Sequence, residues 1–388
     1  MDKATKVVHE KRVPLTIEKS VAPPIYQTCN FSFKKAQDLG NIISGGPDNE
    51  SYIYTRGSNP TQRALEKTVA NVEGTDEAIC TSSGMAAITL VALTFLKQGD
   101  HAVVSNVTYG DTHHLFDSFL SKFGIEASFV DMTNPKNVES AIQKNTKMIY
   151  FETPSNPLLR LVDIEAVSKI AKGRGIKVVV DNTLMGPYFQ QPIKHGANIS
   201  IHSLTKYIGG HSDVVGGIVL CNKKDRLDLR MSLFTTGAVL DPNAAWLVLR
   251  GLKTLGVRME KHQANTLEIV KFLRGHPKVE TVNHPSMPGH PDLAVFKKQM
   301  DGMPSVLSIE VKGGYKQALK FINKLKIFSR AVSLGGVESL AEHPASMTHS
   351  IVPKAEREKA GIKDSLVRLS IGIESVDDLI ADLRQALL

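Results

Sequence analysis

Cysteine is scarce in this chain: there are three, Cys29, Cys80 and Cys221, far apart and with neither a CxxC pair nor a histidine cluster beside them. That argues against a disulfide framework and against zinc or any other metal site. Long apolar runs are missing too. No stretch reaches the roughly 20 residues that a bilayer-spanning helix needs, and residues 1–20 lack the apolar core of a secretory signal. A cytoplasmic protein without membrane attachment is the expectation. Lysine and arginine outnumber the acids 47 to 39, a formal charge of +8, yet basic pairs such as Lys223-Lys224 and Lys297-Lys298 are short and carry no interleaved aromatics. Nucleic acids demand a concentrated basic patch, so no such partner is expected. The excess charge suits anionic metabolites instead.

What the chain does have is length and an apolar supply, 388 residues with 42% hydrophobic, enough for two domains. The first part holds prolines (Pro14, Pro23, Pro24) and the Gly45-Gly46-Pro47 turn signal with little periodicity, and reads as an extended arm over 1–58. Then an α/β rhythm begins. Helical patterns at 62–72 and 85–96 precede a strand at 101–105. Further strands follow at 126–130, 148–152, 177–181 and 199–202, with a helix at 164–172. Most of these strands are apolar on both faces, which suits a mostly parallel sheet covered by helices. The spacing predicts a large domain over 59–245, a long helix over 244–273 as the spine, and a smaller α/β domain over 246–388. The latter has strands at 306–311 and 366–371 and helices at 317–325 and 376–388.

Three short segments carry the chemistry, each at a strand end or a helix start of the larger domain, where doubly wound sheets bind ligands. Thr81-Ser-Ser-Gly-Met-Ala-Ala87 places small residues before a helix, whose free N–H groups can cradle a phosphate; an ordinary capped helix is the plainer alternative. Val178-Val-Val-Asp181 delivers a carboxylate at a strand end, suited to a pyridine nitrogen or to capping the next turn. Ser203-Leu-Thr205-Lys206-Tyr-Ile-Gly-Gly210 sets a lysine behind two hydroxyls, suited to an imine with an aldehyde or to an ordinary surface position. The three in this order fit one cofactor lying across adjacent strand ends.

With these segments the sequence resembles the cysteine and methionine metabolism family of pyridoxal phosphate (PLP) enzymes, which includes cystathionine γ-lyases, cystathionine γ-synthases and methionine γ-lyases. The likeness runs nearly end to end. It extends to Tyr54-Thr-Arg56-Gly-Ser-Asn-Pro-Thr61, Glu152-Thr-Pro-Ser-Asn156-Pro157, Ser333-Leu-Gly-Gly-Val-Glu-Ser-Leu340, His343-Pro-Ala-Ser-Met-Thr-His349 and Val367-Arg368-Leu-Ser370. The resemblance implies the PLP fold type I, with a seven-stranded type of large sheet and a smaller C-terminal α/β domain. It implies Lys206 as the Schiff-base lysine and proton shuttle, and Asp181 on the pyridinium nitrogen. Gly84, Met85, Ser203 and Thr205 would hold the phosphate, completed by Tyr54 and Arg56 of a neighbouring subunit, so that a homodimer is required and a homotetramer expected. Tyr109 would stack on the ring and protonate the leaving sulfur. Arg368 would clamp the substrate carboxylate, with Asn156 and Ser333 assisting. Proton removal at Cα and then Cβ would expel the γ-substituent, and hydrolysis would give a 2-oxo acid and ammonia.

Choice of substrate rests on a few positions. The family's cystathionine γ-lyases tend to carry an acid before the Tyr54 position, Arg at 114 and Glu at 332; this chain has Ile53, His114 and Val332. An uncharged thioether prefers such an apolar wall, which favours α,γ-elimination of methionine-like substrates. Asp111 departs from the family's Cys or Gly at that place. Facing the pocket it would favour the distal ammonium of cystathionine, with His114 on the distal carboxylate; otherwise it points to solvent. A cystathionine γ-lyase, a synthase or sulfhydrylase that replaces the γ-group, and a cofactor-independent binding protein remain as alternatives.

Overall fold

The computed structural model describes residues 2–8, 20–44, 51–350, 353–359 and 361–388; Pro14 and the Gly45-Gly46-Pro47 signal lie outside them. The first part of the chain is less bare than its lack of periodicity suggests, since it holds two short helices, Lys3–Val8 and Ala36–Ser44. Among the described residues no helix is long and apolar enough to cross a bilayer.

Seven strands form the larger sheet: β1 (Glu77–Thr81), β2 (His101–Ser105), β3 (Glu126–Val130), β4 (Thr146–Glu152), β5 (Lys177–Asp181), β6 (Ile199–Ser203) and β7 (Gly217–Cys221), in the order β1-β7-β6-β5-β4-β2-β3. Pairing is parallel from β3 through β6, while β7 runs antiparallel to both of its neighbours. Every residue of β2 and of β7 is buried, as strands covered by helices on both faces must be. The sequence pattern misses β1 and β7. β1 is brief and opens on a glutamate, and β7 opens on a glycine after a loop-like run.

A second sheet gathers β8 (Val279–Asn283), β9 (Val306–Val311), β10 (Ser329–Arg330), β11 (Leu340–Glu342) and β12 (Leu366–Ser370), in the order β10-β11-β12-β9-β8. The architecture is that of fold type I, a large mixed and mostly parallel sheet domain with a smaller C-terminal α/β domain. One apolar core runs through both parts: Leu204, Tyr207 and Ile208 beside β6 belong to the same cluster as Val306, Ile309 and Leu369 of the small sheet.

The helix expected over 244–273 is interrupted. Pro242–Leu252 ends, and Leu255–Leu273 starts after a turn in which the Thr254 N–H reaches the Gly251 carbonyl. Arg258 explains the break. Its buried guanidinium donates to the carbonyls of Gly251 at 2.9 Å and Tyr207 at 2.7 Å, so the interruption holds the main chain directly after Lys206.

Beneath β1 the helix Pro60–Glu73, capped by Asn59 with Pro60 in its first turn, contributes a buried ionic cluster. Glu66 takes Arg230 at 2.7 Å and Arg63 at 3.2 Å, and its other oxygen accepts the Cys80 N–H at 3.0 Å. Burial works against this carboxylate, but Arg230 and Arg63 outweigh it and hold the Glu66 carboxyl below its ordinary value. The cluster pins β1 just before the Thr81–Gly84 turn. Glu66→Ala strands buried arginines, and is expected to cost roughly 3–5 kcal/mol in urea unfolding; a loss under about 1 kcal/mol would show that the cluster contributes no more than a surface pair.

Candidate active site

β4, β5 and β6 end side by side, and Ser203 at the end of β6 lies against Gly84 at the N-terminus of the helix Gly84–Phe95. Ser83 caps that helix by accepting the Ala86 N–H at 3.0 Å, so the first N–H groups point outward from the positive end of the helix. Two glycines allow the close approach. A Cβ on Gly84 would lie 3.0 Å from that of Ser203, and one on Gly217 would stand 2.1 Å from the Ser83 carbonyl oxygen. Gly84 is thereby packed against Ser203, with Met85 next along the helix. Thr205 stands in the following turn, its hydroxyl accepting the Gly216 N–H at 3.1 Å.

Asp181 ends β5. Its carboxylate accepts the Thr183 N–H at 2.9 Å and the Tyr150 hydroxyl at 3.4 Å, and among the described residues no lysine or arginine pairs with it. Burial raises its carboxyl above the ordinary value, opposed by Thr183, His202 and Tyr150. A cationic ring nitrogen is the group such an acid lacks.

Lys206 follows β6 and reaches across to the small sheet's side, where its amine donates to the Ser333 hydroxyl at 2.6 Å. Burial, and next the Arg368 charge, bring this amine down to about 8 despite an opposing pull from Glu342. On the order of a tenth of the amine is therefore uncharged at pH 7, far more than in an ordinary lysine, which favours nucleophilic attack. Ser333 itself has φ 88°, a left-handed conformation unusual outside glycine.

Arg368 rises from β12, buried, and donates to the Ser333 carbonyl at 2.6 Å and the Asn156 side-chain oxygen at 3.4 Å. Its strand partner Glu342 stands 2.6 Å away. The Nε of Arg368 is buried with no hydrogen-bond partner, a donor suited to a carboxylate. Lys206, Ser333, Arg368 and Asn156, drawn from four distant stretches of sequence, thus form one connected cluster.

Tyr109 is half-exposed and stands before the short helix Gly110–His114. Burial of part of the ring, and then Asp111, which takes the phenol's hydrogen bond, push it up to about 12. Asp111 thus faces the Tyr109 hydroxyl as well as solvent. His114 is exposed, and so is Val332; the stacked histidine of this helix is His113, against Phe129. Tyr54 and Arg56 are not brought to this chain's own cradle. Arg56 lies 4.1 Å over the Phe234 ring and donates to the Phe234 carbonyl, on the helix Lys223–Thr236.

Sequence reasoning passed over two acids. Glu152 accepts the Tyr109 N–H at 2.6 Å, and burial followed by the Asp181 charge pushes its carboxyl up to about 8. Its signal was readable, because β4 closes an apolar run with an acid just as β5 does. Glu342 had no such signal, since only the pairing of β11 with β12 sets it against Arg368. The residues present fit a phosphorylated pyridine aldehyde: a helix start of small residues, an acid that no lysine or arginine pairs with among the described residues, and a low-pKa amine.

Comparison with known proteins agrees. Residues 4–388 match the family described as Cys/Met metabolism PLP-dependent enzyme. The chain is 47% identical over 371 residues to an L-methionine gamma-lyase of Fusobacterium nucleatum, covering 95% of this chain and 93% of that one. It is 44% identical over 385 residues to a cystathionine beta-lyase of Lactococcus lactis, covering 99% and 98%. The crystal structure of metB from Corynebacterium glutamicum superposes with a TM-score of 0.93 at 42% identity, over 100% of this chain and 98% of that one.

The depressed basicity of Lys206 is directly measurable. In the cofactor-free protein a reagent that acylates neutral amines should modify Lys206 with a midpoint near pH 8, against 10.5 for an ordinary lysine, read by mass mapping of its peptide. A midpoint at the ordinary value would contradict the burial argument.

Proposed function

Because the chain belongs to the Cys/Met metabolism family of PLP-dependent enzymes, we propose that it binds PLP at Lys206 and catalyses α,γ-elimination of methionine-like sulfur amino acids to a 2-oxo acid, ammonia and a thiol. The observation that carries this reading is the low-pKa amine of Lys206 held 2.6 Å from Ser333, beside a buried Arg368 with a spare donor. PLP, when bound, supplies the electron sink for charge developing at Cα and Cβ. Gly84, Met85, Ser203 and Thr205 would hold its phosphate, and Asp181 would keep its ring nitrogen charged.

The chain's own groups do the rest. Arg368, braced by Asn156 and the Ser333 carbonyl, orients the substrate by its carboxylate. Lys206 would be placed to carry a proton from the substrate's Cα and then from its Cβ. Tyr109, a phenol pushed up to about 12 from an ordinary value already well above neutrality, is protonated at pH 7 and has a proton to give the departing sulfur.

The apolar side chains of Ile53 and Val332, and a methionine-cleaving relative at 47% identity, support methionine. One observation favours cystathionine as a second reading: the Asp111 carboxylate lies beside the Tyr109 hydroxyl, where a distal ammonium would find it, with His114 one helical turn on. The exposed apolar face of the helix Lys223–Thr236, with Leu227, Met231 and Phe234, supports pairing of two copies that exchange Tyr54 and Arg56, and a tetramer of such pairs. A cytoplasmic setting, and the division at 58 and 245, complete the reading.

Steady-state rates on methionine and cystathionine, with thiol, ammonia and 2-oxo acid all assayed, should favour methionine, whereas a strong cystathionine preference, or replacement product when a thiol is supplied, would reverse the assignment. Asp111→Cys should raise kcat/KM for methionine about tenfold, the effect of about 1.4 kcal/mol; an unchanged value would place Asp111 outside the substrate's reach.

A further inference from the structure

β4 and β5 finish on acids that are register partners, Glu152 opposite Asp181. Glu152 is buried and Asp181 is open in part toward the cleft. The groups that face them come from every neighbouring element: Tyr150 on β4, Thr183 after β5, His202 on β6 and Tyr109 from the loop before the helix Gly110–His114. His202 is itself committed, with its Nε2 2.7 Å from Glu73. Neither acid is ion-paired with a lysine or arginine among the described residues. Two adjacent carboxylates in such a place do not both ionise near neutrality, and one of the two keeps a proton.

The geometry says which. Asp181 accepts the Thr183 N–H and the Tyr150 hydroxyl, two bonds that favour its charged form, whereas Glu152 spends one oxygen on the Tyr109 N–H. We propose that Glu152 is a positioning residue that remains the neutral acid, leaving the negative charge to Asp181, while its oxygen fixes the main chain of Tyr109 over the cofactor site. This rests on the site holding PLP, and is independent of which sulfur amino acid is cleaved.

The consequence for variants is an asymmetry. Glutamine reproduces a neutral acid that accepts a hydrogen bond, and alanine does not. The test uses the holoenzyme and its Glu152→Gln and Glu152→Ala forms, with the PLP dissociation constant from equilibrium dialysis and the visible circular dichroism of the bound cofactor. Glu152→Gln should stay within about threefold of the parent, and Glu152→Ala should weaken PLP roughly tenfold, about the effect of one lost hydrogen bond, with a diminished visible signal and unchanged far-ultraviolet dichroism. In a Tyr109→Ala background Glu152→Ala should add less than about twofold, since residues acting through one another are not additive. A glutamine form as impaired as the alanine form would overturn the neutral-acid assignment. Undiminished PLP binding by Glu152→Ala, or a full effect persisting without the Tyr109 side chain, would overturn the positioning role. A parent protein that takes up no PLP would instead sink the cofactor assignment on which both stand.

Discussion

Asp181 sits where β5 runs out, with a main-chain N–H at 2.9 Å and a tyrosine hydroxyl at 3.4 Å, but no basic side chain paired to it among the described residues. A carboxylate so placed is held at a cost, and the cost is relieved by a cation arriving from the cleft. Much of the surrounding structure follows from that constraint. Glu152 opposite it and Tyr150 bonded to it form a polar group at the strand ends, with the buried Glu73–His202 pair nearby. Polar groups in such a setting have to satisfy one another.

The second charged centre is arranged differently. Arg368 is already faced by Glu342 at 2.6 Å, so an incoming carboxylate meets a guanidinium whose charge is partly answered. What remains on offer is direction, since Nε is buried and unbonded while the other nitrogens are engaged with Ser333, Asn156 and Glu342. A fork held on several sides presents one edge, which favours a single substrate orientation over tight holding.

The sequence made much of this readable, for identifiable reasons. Strands β2, β4, β5 and β6 showed as apolar runs because both of their faces are covered, and Asp181, Ser203 and Lys206 stood out because each ends or follows such a run. β1 and β7 were not read as strands; β7 opens on Gly217 directly after a glycine-bearing loop. The interrupted helix near 253 looked continuous because both halves keep apolar periodicity; the break is imposed by Arg258 binding carbonyls that lie 7 residues earlier and in another segment altogether. Glu342 against Arg368, and Ser333 against Lys206, are pairings between distant parts of the chain, which no local pattern encodes. Tyr54 and Arg56 were legible only through the family likeness, and within one chain they rest on the helix Lys223–Thr236.

Ser333 gives the two sheets a common gauge. Its hydroxyl meets an amine carried by the large sheet and its carbonyl meets a guanidinium carried by the small one, and its left-handed backbone leaves little slack in between. Any shift of one sheet along the other therefore arrives at this single residue as a change in separation between nucleophile and anchor. Alignment of the reacting groups is thus a property of how two layers are stacked, set by apolar packing well away from the cleft.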